Sequence, residues 1–227
     1  MKNIPALDPK VLGLVTEISK EPKVEAAIAF IKDQTEVAML EQIELCEIEA
    51  PTFHEEKRAA SVAERMRQYG LTDVHIDEIG NVIGIRKGSG NGPVLAIGAH
   101  MDSVFPAGTD VKVKKEGNIY RAPGIGDNCS GLRALLQVLR ALEKEDIRTV
   151  GDIWFVGTVG EEGNGDIRGS KHLCANNKLD GFVAIDSTDV GRVLYGAVGS
   201  HRWRLAVDGT GGHSFADFGK TDRKSVV

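Results

Sequence analysis

The spacing of apolar residues divides the chain into a helical first third and a region of alternating strands and helices beyond it. Between Val24 and Glu49 apolar side chains recur at helical spacing, at Ala27, Ile28 and Ile31 and then at Val37, Leu40 and Ile43. A second helical run covers Glu55 to Tyr69, after the breaker Pro51. Val74 to Ile76, Val82 to Ile85 and Val94 to Gly98 then read as strands, separated by the turn-forming stretches Glu78-Ile79-Gly80-Asn81 and Gly88-Ser89-Gly90-Asn91-Gly92. A helix is predicted over Asp127 to Lys144, with Leu132, Leu135, Leu136, Leu139 and Leu142 on one face. Ile153 to Val159 and Phe182 to Ile185 lack polar alternation, as strands covered on both faces do, and a short helix over Ser170 to Asn176 lies between them. This order predicts an α/β fold with a mixed, mainly parallel sheet flanked by helices. From Arg202 to Val207 the residues alternate at first as in a strand with one wet face, and the glycine-rich turn Gly209 to Gly212 follows. The expected division is a domain over 1–196 and the start of a smaller one over 197–227.

Composition narrows the function classes. A chain of 227 residues with 41% hydrophobic and 27% charged residues is long enough to bury a core. A net charge of -5 without a long Lys/Arg cluster argues against a nucleic-acid partner and favours a small-molecule substrate. The segment Met1 to Glu21 has only the short apolar run Val11 to Val15, flanked by acidic residues, and lacks the features of a secretory signal. No apolar stretch approaches the ~20 residues of a membrane helix, so a cytoplasmic protein with no membrane partner is expected. Cys46, Cys129 and Cys174 are far apart and form no C-x-x-C pair, which points to reduced, packed thiols.

Most of the candidate chemistry sits where strand-like runs end. A metal-activated hydrolase needs imidazole and carboxylate ligands, plus a carboxylate outside the ligand set to move protons. His100 offers the imidazole. Asp102, two residues on, lies on the same side of an extended chain, where it could fix the ring's tautomer; an isolated H-x-D is equally a strand-end histidine bonded to backbone. Asp127 opens a helix between glycines, a place where a carboxylate also serves as an N-cap. Glu161 and Glu162 follow Ile153 to Val159, and adjacent carboxylates repel unless a cation or a proton relieves them. Pointing differently, one could bind metal while the other faces the substrate water. Asp186 ends Phe182 to Ile185, so His100, Asp127, Glu162 and Asp186 form a set of four candidate ligands.

Gly98-Ala99-His100-Met101-Asp102, Gly126-Asp127-Asn128, Glu161-Glu162-Gly163 and Gly211-Gly212-His213-Ser214 together resemble the cocatalytic zinc peptidase and aminoacylase family. Its members include tripeptide aminopeptidase (peptidase T-like enzymes), glutamate carboxypeptidases, acetylornithine deacetylase and carnosinase. The likeness runs from about Glu55 to Gly219. It implies an α/β zinc domain interrupted by a smaller α+β lid through which two copies dimerise. It implies two Zn2+ ions about 3.5 to 4 Å apart, with Co2+ or Mn2+ as substitutes. Asp127 would bridge them, His100 and Asp186 would complete one site, and Glu162 would serve the other. Asp102 would orient His100, and Glu161 would be the general base that deprotonates a metal-bridging water. His213 would hold the substrate's carbonyl or carboxylate. The implied activity is exopeptidase hydrolysis of an amide in di- or tripeptides, by an aminopeptidase or a carboxypeptidase, with N-acyl amino acid deacylation as the alternative.

The family supplies one more histidine ligand, which His54, His75, His172 and His201 do not match in position. The expectation is therefore a C-terminally truncated chain with an incomplete second metal site, either an enzyme of uncertain activity or a non-catalytic metal-binding or assembly protein. Other chemistries find less support. Gly163 to Gly169 misses the dinucleotide fingerprint by one residue, His54-Glu55-Glu56-Lys57-Arg58 lacks the second histidine of H-E-x-x-H, and no G-x-S-x-G elbow occurs.

Overall fold

The structure, a computed structural model, describes residues 8–186, 191–196, 198, 199, 201 and 203. The chain divides into two compact units, Met1–Val190 and Gly191–Val227, and all of the described secondary structure lies in the first. The turn expected at Gly209 to Gly212, and the strand before it apart from Trp203, fall outside the described residues.

The first third is helical as predicted, but in more pieces: α1 (Pro9–Ile18), α2 (Pro22–Asp33), α3 (Thr35–Cys46) and α4 (Glu56–Gln68). Proline at the first helical position starts α1 and α2, where the missing N–H costs nothing. Gln34 breaks the long apolar period into α2 and α3 by leaving helical geometry (φ -91°, ψ 13°).

The sheet consists of β1 (Asp73–Ile76), β2 (Val82–Arg86), β3 (Leu95–His100), β6 (Ile153–Thr158) and β7 (Gly181–Ala184), in the order β1-β2-β6-β3-β7. A separate hairpin, β4 (Lys114–Glu116) with β5 (Ile119–Arg121), precedes α5 (Cys129–Lys144), and α6 (Arg168–Asn176) connects β6 to β7. β1 and β2 run antiparallel to their neighbours, whereas β6, β3 and β7 are parallel. The class is the mixed α/β arrangement that the sequence implied.

Helices cover both faces, which explains why β3 and β6 show no polar alternation. On one face Leu132, Leu135, Leu136 and Leu139 of α5 are fully buried with Leu45 of α3, Val62 and Met66 of α4, and Phe155 of β6. On the other, Leu173 of α6 packs on Ile83, Ala96 and Val156. Each fully buried leucine contributes about 1.5 to 3 kcal/mol. Cys46 and Cys129 are free and buried, and the Cys46 thiol donates to the Pro123 carbonyl at 3.5 Å; the neighbouring Cys129 thiol, with burial, pushes the Cys46 thiol up.

Register sets where the site forms. His100 pairs with Thr158, and the ladder continues as the Met101 N–H donates to the Thr158 carbonyl at 2.8 Å. The Ile185 N–H donates to the Gly98 carbonyl at 2.7 Å, so the C-terminal ends of β3, β6 and β7 share one rim, where open α/β sheets bind their ligands. The start of α5 is drawn to that rim: the Asn128 side-chain amide donates to the Ile185 carbonyl at 2.9 Å. A Cβ on Gly131 would stand 2.6 Å from the same carbonyl and 2.1 Å from Asn128 Oδ1. Gly131→Ala is therefore expected to destabilise the fold by about 1 to 3 kcal/mol, read by denaturant unfolding.

Candidate metal centre

His100, the last residue of β3, is buried and becomes the hub of an acidic cluster. Its Nε2 lies 3.0 Å from Asp127 Oδ1 and 4.0 Å from both Glu161 Oε2 and Asp186 Oδ1. On the other side of the ring, Nδ1 lies 3.1 Å from the Asp102 carbonyl oxygen and 3.5 Å from its carboxylate.

Asp127 does not cap α5. That role falls to Asn128, whose side chain accepts from the Gly131 N–H at 3.0 Å, and this leaves the Asp127 carboxylate, 66% exposed, to face His100. The capping reading of Asp127 thus fails because the cap falls one residue later, at Asn128, and the helix begins at Cys129.

Glu161 and Glu162 are separated in direction by a shared anchor. The Glu161 and Glu162 N–H groups donate to the two oxygens of the fully buried Asp102 carboxylate, at 2.9 and 3.0 Å, and the Thr52 hydroxyl adds a third bond at 2.9 Å. Glu161 then falls with His100 and Asp186, and Glu162 with His100 and Asp127, each as a trio whose donor atoms lie within 4.8 Å of one another. His213 lies outside the described residues. His75 and His172 instead face Asp73 and Glu78.

Several residues that shape the site were not singled out from the sequence. Glu55, dismissed with the failed H-E-x-x-H, is buried; it accepts from the Gly160 N–H at 2.9 Å and pairs with Arg168 at 3.2 Å, bracing the turn that carries Glu161. Asn81 accepts from the Val159 N–H at 3.1 Å. Arg58, buried in α4, donates to the Met101 carbonyl at 2.7 Å and to the Ile48 carbonyl at 2.5 Å. Most of these bonds span long sequence separations, 113 positions for Glu55 and Arg168, which no local pattern reveals.

The electrostatics suit a cation. Burial raises the Glu161 carboxyl against the opposing pull of His100, and Asp186, Asp102 and Asp127 raise it further. Burial also raises Glu162, with Asp127 and Glu161 adding to the effect. Burial would lower the His100 imidazole, but Asp102, Glu161 and Asp186 together carry it up to about 9. One imidazole among converging carboxylates under mutual strain is a donor set that a divalent metal relieves, with carboxylate and imidazole ligands of the kind zinc takes.

Comparison with known proteins bears out this fold. Residues 96–201 match the profile described as peptidase family M20/M25/M40. Over that segment the chain has the sequence of a peptidase M20 family domain. A Pyrococcus abyssi protein, provisionally named LysW-lysine/LysW-ornithine hydrolase, is 35% identical over 120 residues, covering 53% of this chain and 32% of its own. A tripeptidase from Staphylococcus aureus superposes with a TM-score of 0.56 at 31% identity, over 67% of this chain and 44% of that one. Aminopeptidase PepT from Bacillus cereus gives a TM-score of 0.57 at 25% identity, over 67% and 43%. The chain spans less than half the length of each of these relatives. Among the described residues no helix is long and apolar enough to cross a membrane.

Burial alone would raise the Asp102 carboxyl; His100, the Glu161 and Glu162 N–H groups and Thr52 outweigh it and lower it to about 2, from an ordinary 3.8. A carboxyl lowered on folding stabilises above its unfolded value, and that contribution is lost as the pH falls through its folded value. Asp102→Asn is therefore expected to cost about 2 kcal/mol at pH 7, a gap that narrows as the pH drops from 3.8 toward about 2. Unfolding curves across that range, with an NMR titration of His100 falling below about 9 in the variant, check both parts.

Proposed function

We propose that this M20-family protein is a metal-dependent hydrolase that cleaves an amide bond in short peptides, as an exopeptidase on di- or tripeptides. The observation that carries the reading is the convergence of Asp127, Glu161, Glu162 and Asp186 on His100 at the C-terminal rim of the sheet. In this reading His100, Asp127, Asp186 and Glu162 hold two divalent cations, zinc foremost, and Glu161 is left to move protons. Bound there, the cations would polarise the amide carbonyl and lower the pKa of water from about 15.7 toward about 7.

The chain's own residues supply the rest. Asp102 fixes the Glu161 and Glu162 main chain, so the two carboxylates stay divided between the trios around His100. Glu161 is one-third exposed, and burial raises its carboxyl. That suits a group that accepts a proton from water at Oε2 and returns it to the departing amine. Beyond the described residues, His213 would contact the substrate's carbonyl or carboxylate, and the smaller unit would pair two copies into a homodimer. The Pyrococcus abyssi relative, named for LysW-lysine and LysW-ornithine rather than for a peptide, favours a second reading, deacylation of N-acyl amino acids.

Hydrolysis of di- and tripeptides against N-acyl amino acids by the zinc-loaded protein separates the two readings. Glu161→Gln is expected to lower kcat by about 10^2 to 10^4 while zinc stoichiometry, measured by calorimetry, is unchanged. A wild-type protein that binds zinc and turns over neither substrate class would instead be a metal-binding assembly protein.

A further inference from the structure

Beside the metal centre two loops are joined into a wall that the proposed chemistry does not use. Pro51 and Ser103 form a parallel bridge, the Ser103 N–H donates to the Ala50 carbonyl at 2.9 Å, and the Thr52 hydroxyl donates to Asp102 at 2.9 Å. Between the loops lies a groove of about 320 Å3, walled by Pro51, Phe53, Val104, Phe105 and Pro106 and reaching Glu162. Phe53 and Val104 are 50% and 62% exposed, so they add little to the core. Phe53 also sits at φ +76°, a backbone region that bulky side chains enter only under strain and that concentrates at functional sites. The Arg168 guanidinium lies 5.3 Å from the Phe53 ring centre, and Glu55 holds that arginine in place. An exposed aromatic, strained and braced by a paired cation, is built to present an apolar surface.

We propose that this groove receives the uncharged, apolar side chain of the substrate residue that flanks the cleaved amide. The proposal rests on the hydrolase reading above. Its occupant follows from continuity: Glu162 both ends the groove and belongs to the trio with His100 and Asp127, so an amide at the cluster sends a neighbouring side chain into the groove. Among the described residues no lysine, arginine or histidine lines it, so its walls offer no partner to an acidic side chain. The volume lies at the small end of the roughly 300 to 1,000 Å3 of ligand pockets and is ample for one side chain.

The test uses the full zinc-loaded chain carrying Glu161→Gln, so that peptides bind without turnover. Leu-Gly-Gly, Gly-Leu-Gly and Gly-Gly-Leu, their aspartate counterparts and Gly-Gly-Gly are titrated by calorimetry. At least one leucine peptide is expected to bind 10-fold or more tightly than Gly-Gly-Gly, within the about 10- to 200-fold range of an apolar pocket, and its aspartate counterpart to gain no such advantage. Adding Val104→Asp should reduce the leucine preference to within threefold, whereas Val104→Ile should keep it; Phe53→Ser repeats the test, with melting curves confirming that each variant is folded. A leucine preference that survives both Val104→Asp and Phe53→Ser, or no preference at all, overturns the groove assignment. If the zinc-loaded wild type hydrolyses leucine and glycine peptides alike, the groove assignment falls and the hydrolase reading stands. If it binds and hydrolyses no peptide, both fall.

Discussion

One buried carboxylate ties the site together. Asp102 is fully removed from solvent, and a charge so placed is tolerated only when its oxygens are bonded. Its partners are the N–H groups of Glu161 and Glu162, the Thr52 hydroxyl and the ring of His100. The end of β3 is thereby joined to the end of β6 and to the loop before α4. Around this knot a second set of buried polar groups works in the same way: Arg58 on the carbonyl of Met101, Glu55 on Gly160, and Asn81 on Val159. The turns that carry the candidate ligands are held by the protein itself, so their arrangement does not depend on a ligand to assemble it.

That rigidity has an electrostatic consequence. The same bonds that hold Glu161 and Glu162 in place keep them close to Asp127 and Asp186, whose charges add to the cost of partly burying the two glutamates. The protein alone can relieve the strain only by taking up protons: the surrounding carboxylates carry His100 up to about 9, and burial first, then the neighbouring carboxylates, raise both glutamates. A divalent cation relieves it without protons. Structures that place like charges together in this way give up stability for function, and perturbed titration marks the place where that exchange occurs.

Much of the fold was legible because β3 and β6 are covered by helices on both faces; β7, expected from its apolar run to be covered likewise, instead leaves Val183 51% exposed at the sheet edge. Ile153 to Val159 and Phe182 to Ile185 announced themselves as unbroken apolar runs, and the chemistry-bearing residues stood out as the polar residues that ended or followed them. Where burial is slight the signal fades: β4 is Lys-Lys-Glu and exposed throughout, so nothing in its pattern marks a strand, and α1 buries none of its residues. Asp127 was misjudged as a possible cap because sequence spacing cannot tell which of two adjacent side chains, Asp127 or Asn128, turns back to the helix. Thr52, Glu55, Asn81 and Arg168 escaped notice because their work is tertiary. Each is an ordinary polar residue until the fold brings it to a backbone group or carboxylate far along the chain, as Thr52 is brought to Asp102 across 50 positions.

That the acidic cluster around His100 is a metal centre is tested most directly by zinc-edge anomalous diffraction from crystals grown with zinc. Anomalous peaks are expected between His100 Nε2 and the carboxylates of Asp127, Asp186 and Glu162. Zinc density confined to other parts of the molecule, with the cluster empty, would contradict the account.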